Sequence, residues 1–395
     1  MSTVFRRSAF PLASAVFALL LKTLSASGST AADWEIGIVD AGIGGQFSSL
    51  RLDTWGNGHV AYVDANDGYL KYGFWDHQLN KWFTATIDRS RGFCSLVLDS
   101  DQHPHISYLD YGNNQLKYAH WTGSAWEKQV IPIRAHNISF YTSVALVEGN
   151  RPSITYYEYE DANGDQELHL RDVTLNNGQW QLRTVDPTPG SGKFNSIASD
   201  SQGNLQVAYS NVRAEDESLR YASFDGHTWA VQIIDQIRDV GGHPITPMWS
   251  TALVIDKADQ PHIAYTDVLK RLVKYAVKVN GKWNIEVVDA IRKESYPDRN
   301  GLALDETGTP YISYYDAGAG LLKLAHKAGG HWVTEIVDGN FAGYTSSLQI
   351  HDGAIWITYA DETRKDLKFA RRRLEKTVPV LEQSSKVTQD SSRAQ

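Results

Sequence analysis

The feature that most constrains this chain is that it repeats itself. HISYLD at 105–110 returns as HVAYVD at 59–64, HIAYTD at 262–267 and YISYYD at 311–316. An LKYA-like element follows each, and a Trp closes each round. A unit that recurs every 50 or so residues cannot bury its apolar faces alone, so its copies must pack on one another.

Aligning the copies gives seven units of four short segments. Segment a reads SLRLD at 49, SLVLD at 95, SVALV at 143, SIASD at 196, ALVID at 252, GLALD at 301 and SLQIH at 347. Segment b carries a Tyr in every copy: Tyr62, Tyr108, Tyr156, Tyr209, Tyr265, Tyr314 and Tyr359. Segment c reads LKYG at 70, LKYA at 116, LHLR at 168, LRYA at 219, VKYA at 273, LKLA at 322 and LKFA at 367. Segment d opens on Trp34, Trp82, Trp126, Trp180, Trp229, Trp283 and Trp332.

Each segment is short, rich in β-branched and aromatic residues, and bounded by Gly, Asn, Asp or Pro, which predicts strands. Turn chemistry falls between them, as in GNGH, ADQP and TGTP between a and b, or FDGH and VNGK between c and d. Four strands repeated seven times predict an all-β, seven-bladed β-propeller. The chain opens on a lone d segment, 34–40, and its last unit has a, b and c but no d. The N-terminal strand is therefore expected to complete the last blade and close the ring, which removes free sheet edges.

Residues 32–375 form this propeller in the expected layout. Residues 1–31 read as an export signal, with Arg6 and Arg7 before a short apolar run and SerThrAla at 29–31. The run is too short to span a bilayer comfortably, so no membrane span is expected after signal removal, and the location is secreted or periplasmic. Residues 376–395 lack any period and read as a disordered tail. The net charge of −8 argues against a nucleic-acid partner. A single cysteine, Cys94, excludes an internal disulfide and a Cys-based zinc site.

The turn between c and d resembles the Asp-box, or BNR, repeat of sialidase-like propellers. SFDGHTW at 223–229 is one residue short of S-x-D-x-G-x-T-W, and other copies keep the turn Gly and the Trp. The resemblance implies the propeller fold over about residues 34–375. A sialidase would also bring an Arg triad, a Tyr–Glu pair and an acid Asp. The early Arg-Ile-Pro motif is missing, VIPIRA at 130–135 having another order, so no sialidase residue is carried over.

The copies also serve as internal controls: what recurs in every blade is architecture, and what one blade alone carries is a better functional candidate. Two carboxylate rings recur, Asp40, Asp88, Asp186, Asp235, Asp289 and Asp338 ending d, and Asp64, Asp110, Glu158, Asp267, Asp316 and Asp361 ending b. Pro132 and Asn211 are the exceptions. The rings are expected to cap turns. The d–a loops vary and are basic, including Arg89, Arg91, Arg134, Lys193, Arg292 and Lys293. These cations either neutralise the rings or receive an acidic or polar ligand, where Arg gives bidentate contacts. An aromatic precedes a in most copies, Phe47, Phe93, Tyr141, Phe194 and Trp249, with Arg299 in its place in blade 6. These rings either plug the mouth of the channel or stack on sugar faces.

The densest blade-specific cluster is Arg238, His243, Trp249, Lys293, Tyr296, Asp298 and Arg299, in the d–a loops of blades 5 and 6. It is the expected ligand site. The b–c loop YEYEDANGDQE at 157–167 sets Asp161, Asn163, Asp165 and Glu167 in alternation, which reads either as a plain acidic hairpin or as a partial calcium pattern, and no other cofactor is expected. Three functions remain open. The first is an exported module binding glycan or acidic polysaccharide. The second is a glycan-active enzyme such as a polysaccharide lyase, with His243 or Tyr296 as base and Arg299 or Lys293 neutralising a uronate. The third is a scaffold for a protein partner.

Overall fold

A computed structural model describes residues 34–110, 112–133, 137–162, 165–213, 216–236, 248–292 and 299–374. They form seven four-stranded antiparallel sheets, each running a-b-c-d in spatial order, so the chain is a seven-bladed β-propeller. Blades 1 to 6 occupy 46–89, 94–130, 137–186, 191–236, 248–290 and 301–338. Blade 7 takes strands a to c from 342–373 and its outer strand from Glu35–Asp40.

That N-terminal strand closes the ring. Glu35 pairs with Arg371, Ile36 with Ala370, Gly37 with Phe369 and Ile38 with Lys368. Arg371 clasps the Glu35 carboxylate with two hydrogen bonds of 2.7 and 2.8 Å. Gly37 has no room for a Cβ, which would lie 2.5 Å from the Phe369 ring. Among the described residues no helix is long and apolar enough to cross a membrane.

The recurring residues build the joints between blades. All seven strand-b Tyr side chains are fully buried. Tyr62 donates its hydroxyl to Asp40 at 2.7 Å, Tyr108 to Asp88 at 2.7 Å, and Tyr314 to Asp289 at 2.5 Å. The same bond joins Tyr209 to Asp186, Tyr265 to Asp235 and Tyr359 to Asp338. The acceptor always ends strand d of the preceding blade, so each bond crosses a joint. Burial, and then the carboxylate beside it, pushes each of these phenols above its ordinary range. The strand-c aromatics work similarly: Tyr72 meets Trp126 of the next blade edge-on at 5.1 Å, and Tyr275 meets Trp332 at 5.3 Å.

The cation that answers the carboxylate rings comes from strand c. Lys117 bridges Asp88 (3.3 Å) and Asp110 (3.0 Å), and Lys274 bridges Asp235 (2.8 Å) and Asp267 (3.0 Å). Lys323 does the same with Asp289 and Asp316, and Lys368 with Asp338 and Asp361. In blade 4, where Asn211 breaks the ring, Asp216 supplies the second carboxylate to Arg220. Among the described residues the rings are thus neutralised from strand c, by the Lys of LKYA in five blades and by Arg220 in blade 4. The rings also cap turns as expected, Asp64 accepting the N–H of Asn66 and Asp361 that of Thr363.

Two alignments need correction. In blade 3, Tyr156 faces Arg171, as Tyr62 faces Lys71 in blade 1. The true strand-c element is therefore 170–173, two residues beyond LHLR, and the Arg171–Glu158 ion pair of 2.8 Å fixes it there. In blade 5, the place held by Phe47 in blade 1 belongs to Ser250, because Thr251 faces Tyr265 and Trp249 lies one residue earlier. The Asp-box turn itself holds: Asp225 accepts the N–H groups of His227 (2.8 Å) and Thr228 (2.7 Å).

Candidate functional site

The d–a and b–c loops share one face of the ring, and the seven a strands line the channel beneath it. Their inward residues form layers. At the mouth stand Phe47, Phe93, Tyr141 and Phe194, then Ser250, Arg299 and Thr345. The four rings form a continuous arc, with centroids 4.0, 4.5 and 4.4 Å apart. Phe93, Tyr141 and Phe194 are buried in it, so they serve as the plug, while Phe47 keeps part of its surface open. Phe47 sits at a left-handed φ of 56°, beside a bulge where the ladder slips between Gln46 and Ser49. Phe194 repeats this at φ 53°, so the bulge belongs to the blade plan.

Below the mouth runs a ring of serines. Ser49 accepts the N–H of Leu96, Ser95 that of Val144, Ser143 that of Ile197 and Ser196 that of Leu253. Ser347 accepts that of Leu50 and carries the ring across the closure at 2.9 Å. Ala252 and Gly301 interrupt it. At Gly301 a Cβ would lie 2.7 Å from the Leu348 nitrogen, so the approach of blade 7 excludes any side chain there.

Of the expected site residues, Arg238, His243, Lys293, Tyr296 and Asp298 lie outside the described residues, and Trp249 is described as a ladder position opposite Thr266. Arg299 is described, and it turns inward. Its Nη1 donates to the carbonyls of Ser48 and Cys94, each at 3.2 Å, across the channel from its own blade. Burial lowers the Arg299 guanidinium below its ordinary value. Burial also pushes the Cys94 thiol up to about 12, which keeps it an unreactive core group. Asn163 of the calcium pattern is likewise outside the described residues. Asp161 pairs with Gln166, and Ala162 with Asp165, so the ladder of this hairpin runs to its tip.

A cleft not anticipated from the sequence opens on this same face between blades 1 and 2. Its volume is about 290 Å³, and Gln46, Phe47, Asp64, Asn66, Gly68 and Arg91 line it. Arg91 is exposed, and neither its guanidinium nor the Gln46 amide bonds to any described residue. Asn66 donates its amide N–H to the Gly42 carbonyl at 2.7 Å, which fixes the side chain and leaves its oxygen to accept. An apolar ring thus stands beside a free amide, a free guanidinium and a fixed amide oxygen. Arg91 was visible as one of many loop cations, and no spacing distinguished it.

Histidines recur on the opposite side of the blades. His59 contacts the Tyr72 hydroxyl at 2.6 Å and Asp53 at 3.4 Å. His105 and His262 repeat the contact with Tyr118 and Asp99, and with Tyr275 and Asp256. Burial lowers His105 and His262 below 6.5. Recurrence in three blades marks these as structural bridges.

No family model matches the sequence, and no curated protein does. Solved structures do match in fold. A polysaccharide lyase, Uly1, superposes with a TM-score of 0.55 at 9% identity, over 83% of this chain and 90% of that one. A protein of unknown function from Dyadobacter fermentans gives 0.51 at 10% identity, over 86% and 98%. A Hadza microbial sialidase, Hz136, gives 0.50 at 11% identity, over 81% and 73%. At such identities the likeness is one of fold.

Proposed function

We propose that this protein is a secreted or periplasmic glycan-binding propeller whose ligand lies on the d–a face, in the cleft beside the channel mouth. The observation that carries the reading is the cleft of Gln46, Phe47, Asn66 and Arg91. A sugar offers an apolar C–H face and a rim of hydroxyls. A partly open aromatic ring meets the first, and amides and a guanidinium with unspent hydrogen bonds meet the second. Two of the proteins that share the fold, a polysaccharide lyase and a sialidase, act on glycans by name. Arg91 adds a preference for acidic sugars, since a guanidinium binds a uronate carboxylate with two parallel hydrogen bonds.

The test is a glycan array run beside a cleavage assay on uronate polymers. Binding without new unsaturated ends supports the binding role, and their ultraviolet absorbance would move the assignment to a lyase. Arg91→Ala is expected to weaken binding of an acidic glycan by about 1.5–3 kcal/mol, the scale of a charge-assisted hydrogen bond. Undiminished affinity in both Arg91→Ala and Phe47→Ala would remove the cleft from the account.

A further inference from the structure

Two arginines reach into the central channel, and neither forms an ion pair with a described residue. Arg51 is the odd residue of its layer: the other blades place Val97, Ala145, Ala198, Val254, Ala303 and Gln349 there. Arg299 is the one charged residue of the mouth layer. Both line one pocket of the channel, about 90 Å³ in volume, walled by the a strands of all seven blades. Arg51 donates to the Leu50 carbonyl at 2.8 Å, and Arg299 to the carbonyls of Ser48 and Cys94. No carboxylate among the described residues lies within ion-pair reach of either guanidinium. Burial and then the charge of Arg299 lower Arg51 to about 10, which still leaves it charged at neutral pH.

Two like charges that share one pocket without a carboxylate among the described residues repel each other, and arginine cannot escape by losing its proton. The chain carries 46 acidic residues and sends none of them to this cavity among its described lining. The cavity wall adds a second, independent sign. Ser49, Ser95, Ser143, Ser196 and Ser347 each spend Oγ as an acceptor for an N–H of the next blade. None donates its hydroxyl proton to a described residue, so five O–H donors remain to be satisfied from within the channel. Guanidinium N–H groups and hydroxyls are all donors, and a wall of donors around positive charge selects an anion.

We propose that the central channel binds a small inorganic anion, of the class of chloride or nitrate, between Arg51 and Arg299. The pocket has room for such an ion with water beside it. The ion neutralises the two guanidiniums, takes hydrogen bonds from the serine ring, and ties strand a of blades 1 and 6 to the rest of the hub. This site is separate from the glycan cleft and stands whether or not that cleft binds sugar.

The experiment is a thermal melt of the full chain in gluconate, chloride, bromide and nitrate at one ionic strength. The native state alone holds the ion, so the wild type is expected to gain a saturable rise of a few degrees with the small anions over gluconate. Arg51→Met abolishes the rise and melts in gluconate at or above the wild type, because an uncompensated charge is gone. Arg51→Lys raises the half-saturating concentration about tenfold, the loss of roughly one charge-assisted hydrogen bond. Arg373→Met, on the exposed end of the last strand, keeps the full rise. A wild-type melting point indifferent to anion identity overturns the proposal, as does a full rise in Arg51→Met. Should Arg51→Met fail to fold, bromide-soaked wild-type crystals decide: an anomalous peak beside both guanidiniums supports the site, and a channel without one overturns it.

Discussion

The joint between blades 1 and 2 and the joint between blades 2 and 3 start from one plan and end differently. In the first, Asp88 closes strand d and takes the Tyr108 hydroxyl and the Lys117 ammonium of the next blade. In the second, Pro132 stands where the aspartate belongs. Tyr156 is buried just as deeply, yet its hydroxyl finds no partner among the described residues, and Arg171 pairs with Glu158 of its own blade. Six joints are therefore cross-linked by a charged hydrogen-bond cluster, and among the described residues one relies on apolar packing and neutral hydrogen bonds such as Thr142 to Ser107 and Val144 to Ser95. That packing joins Leu116 and Tyr118 to Ile154 and Tyr156. The contrast teaches that the strand-b Tyr keeps its place by burial of its ring, while the aspartate adds direction and register.

Breaking a joint completely should have the largest effect. Deleting residues 34–40 removes Asp40, the outer strand of blade 7 and the pairing with residues 367–371. The truncated chain is expected to aggregate or lose its cooperative melt, read by size-exclusion chromatography and calorimetry. An unchanged melting point would show that the ring does not depend on this strand.

Turning a normal joint into one like the second is the next step down. Asp289→Ala leaves the Tyr314 hydroxyl and the Lys323 ammonium without their shared acceptor. Both are largely buried, so a loss of about 2–3 kcal/mol in denaturant unfolding is expected. The reverse change sharpens the comparison. Pro132→Asp offers Tyr156 its missing acceptor, with an expected gain of about 1 kcal/mol. A loss instead would mean that the backbone at 130–133 has adapted to proline.

The smallest effect concerns pH. His105 and His262 have folded values below 6.5 because they are buried, so the unfolded chain binds more protons below that pH. Stability is full above about 6.5 and falls as the pH drops through the lowered folded values. Asp88, Asp186 and Asp289 are held below 3.8 by their hydrogen bonds and cations, so their contribution survives that range and is lost only in stronger acid. Blade 4 shows the neutral alternative, with Gln206 accepting the Tyr221 hydroxyl at 2.7 Å. His262→Gln should therefore cost less than about 1 kcal/mol at pH 7 and flatten the fall of the melting temperature as the pH drops below 6.5.

Much of this was legible because a propeller writes its plan seven times. The strands, the closing strand, the buried Tyr series and the exception at Pro132 follow from the period alone. The failures occurred where two registers were equally apolar. Leu168 and Leu170 both fit the first position of strand c, and only the partner strand, with Tyr156 facing Arg171, chooses between them. Trp249 looked like the mouth aromatic of blade 5 because bulges add a residue that spacing cannot show. A cation recurs in strand c as faithfully as the Tyr in strand b, Lys in five blades and Arg171 and Arg220 in the others, so its part in the carboxylate rings was readable. The cleft with Arg91 was not readable, because two strands and two loops meet there only in the fold.

The central claim is that repeated residues hold the ring and unrepeated ones on the d–a face bind the ligand. Titration calorimetry with a glycan selected from the array, run on Arg91→Ala and Asp289→Asn together with their melting points, tests it most directly. The account predicts that Arg91→Ala loses at least about tenfold in affinity with an unchanged melting point. It predicts that Asp289→Asn melts lower and binds as the wild type does. Affinity that survives Arg91→Ala, or falls with Asp289→Asn while the melting point holds, would contradict it.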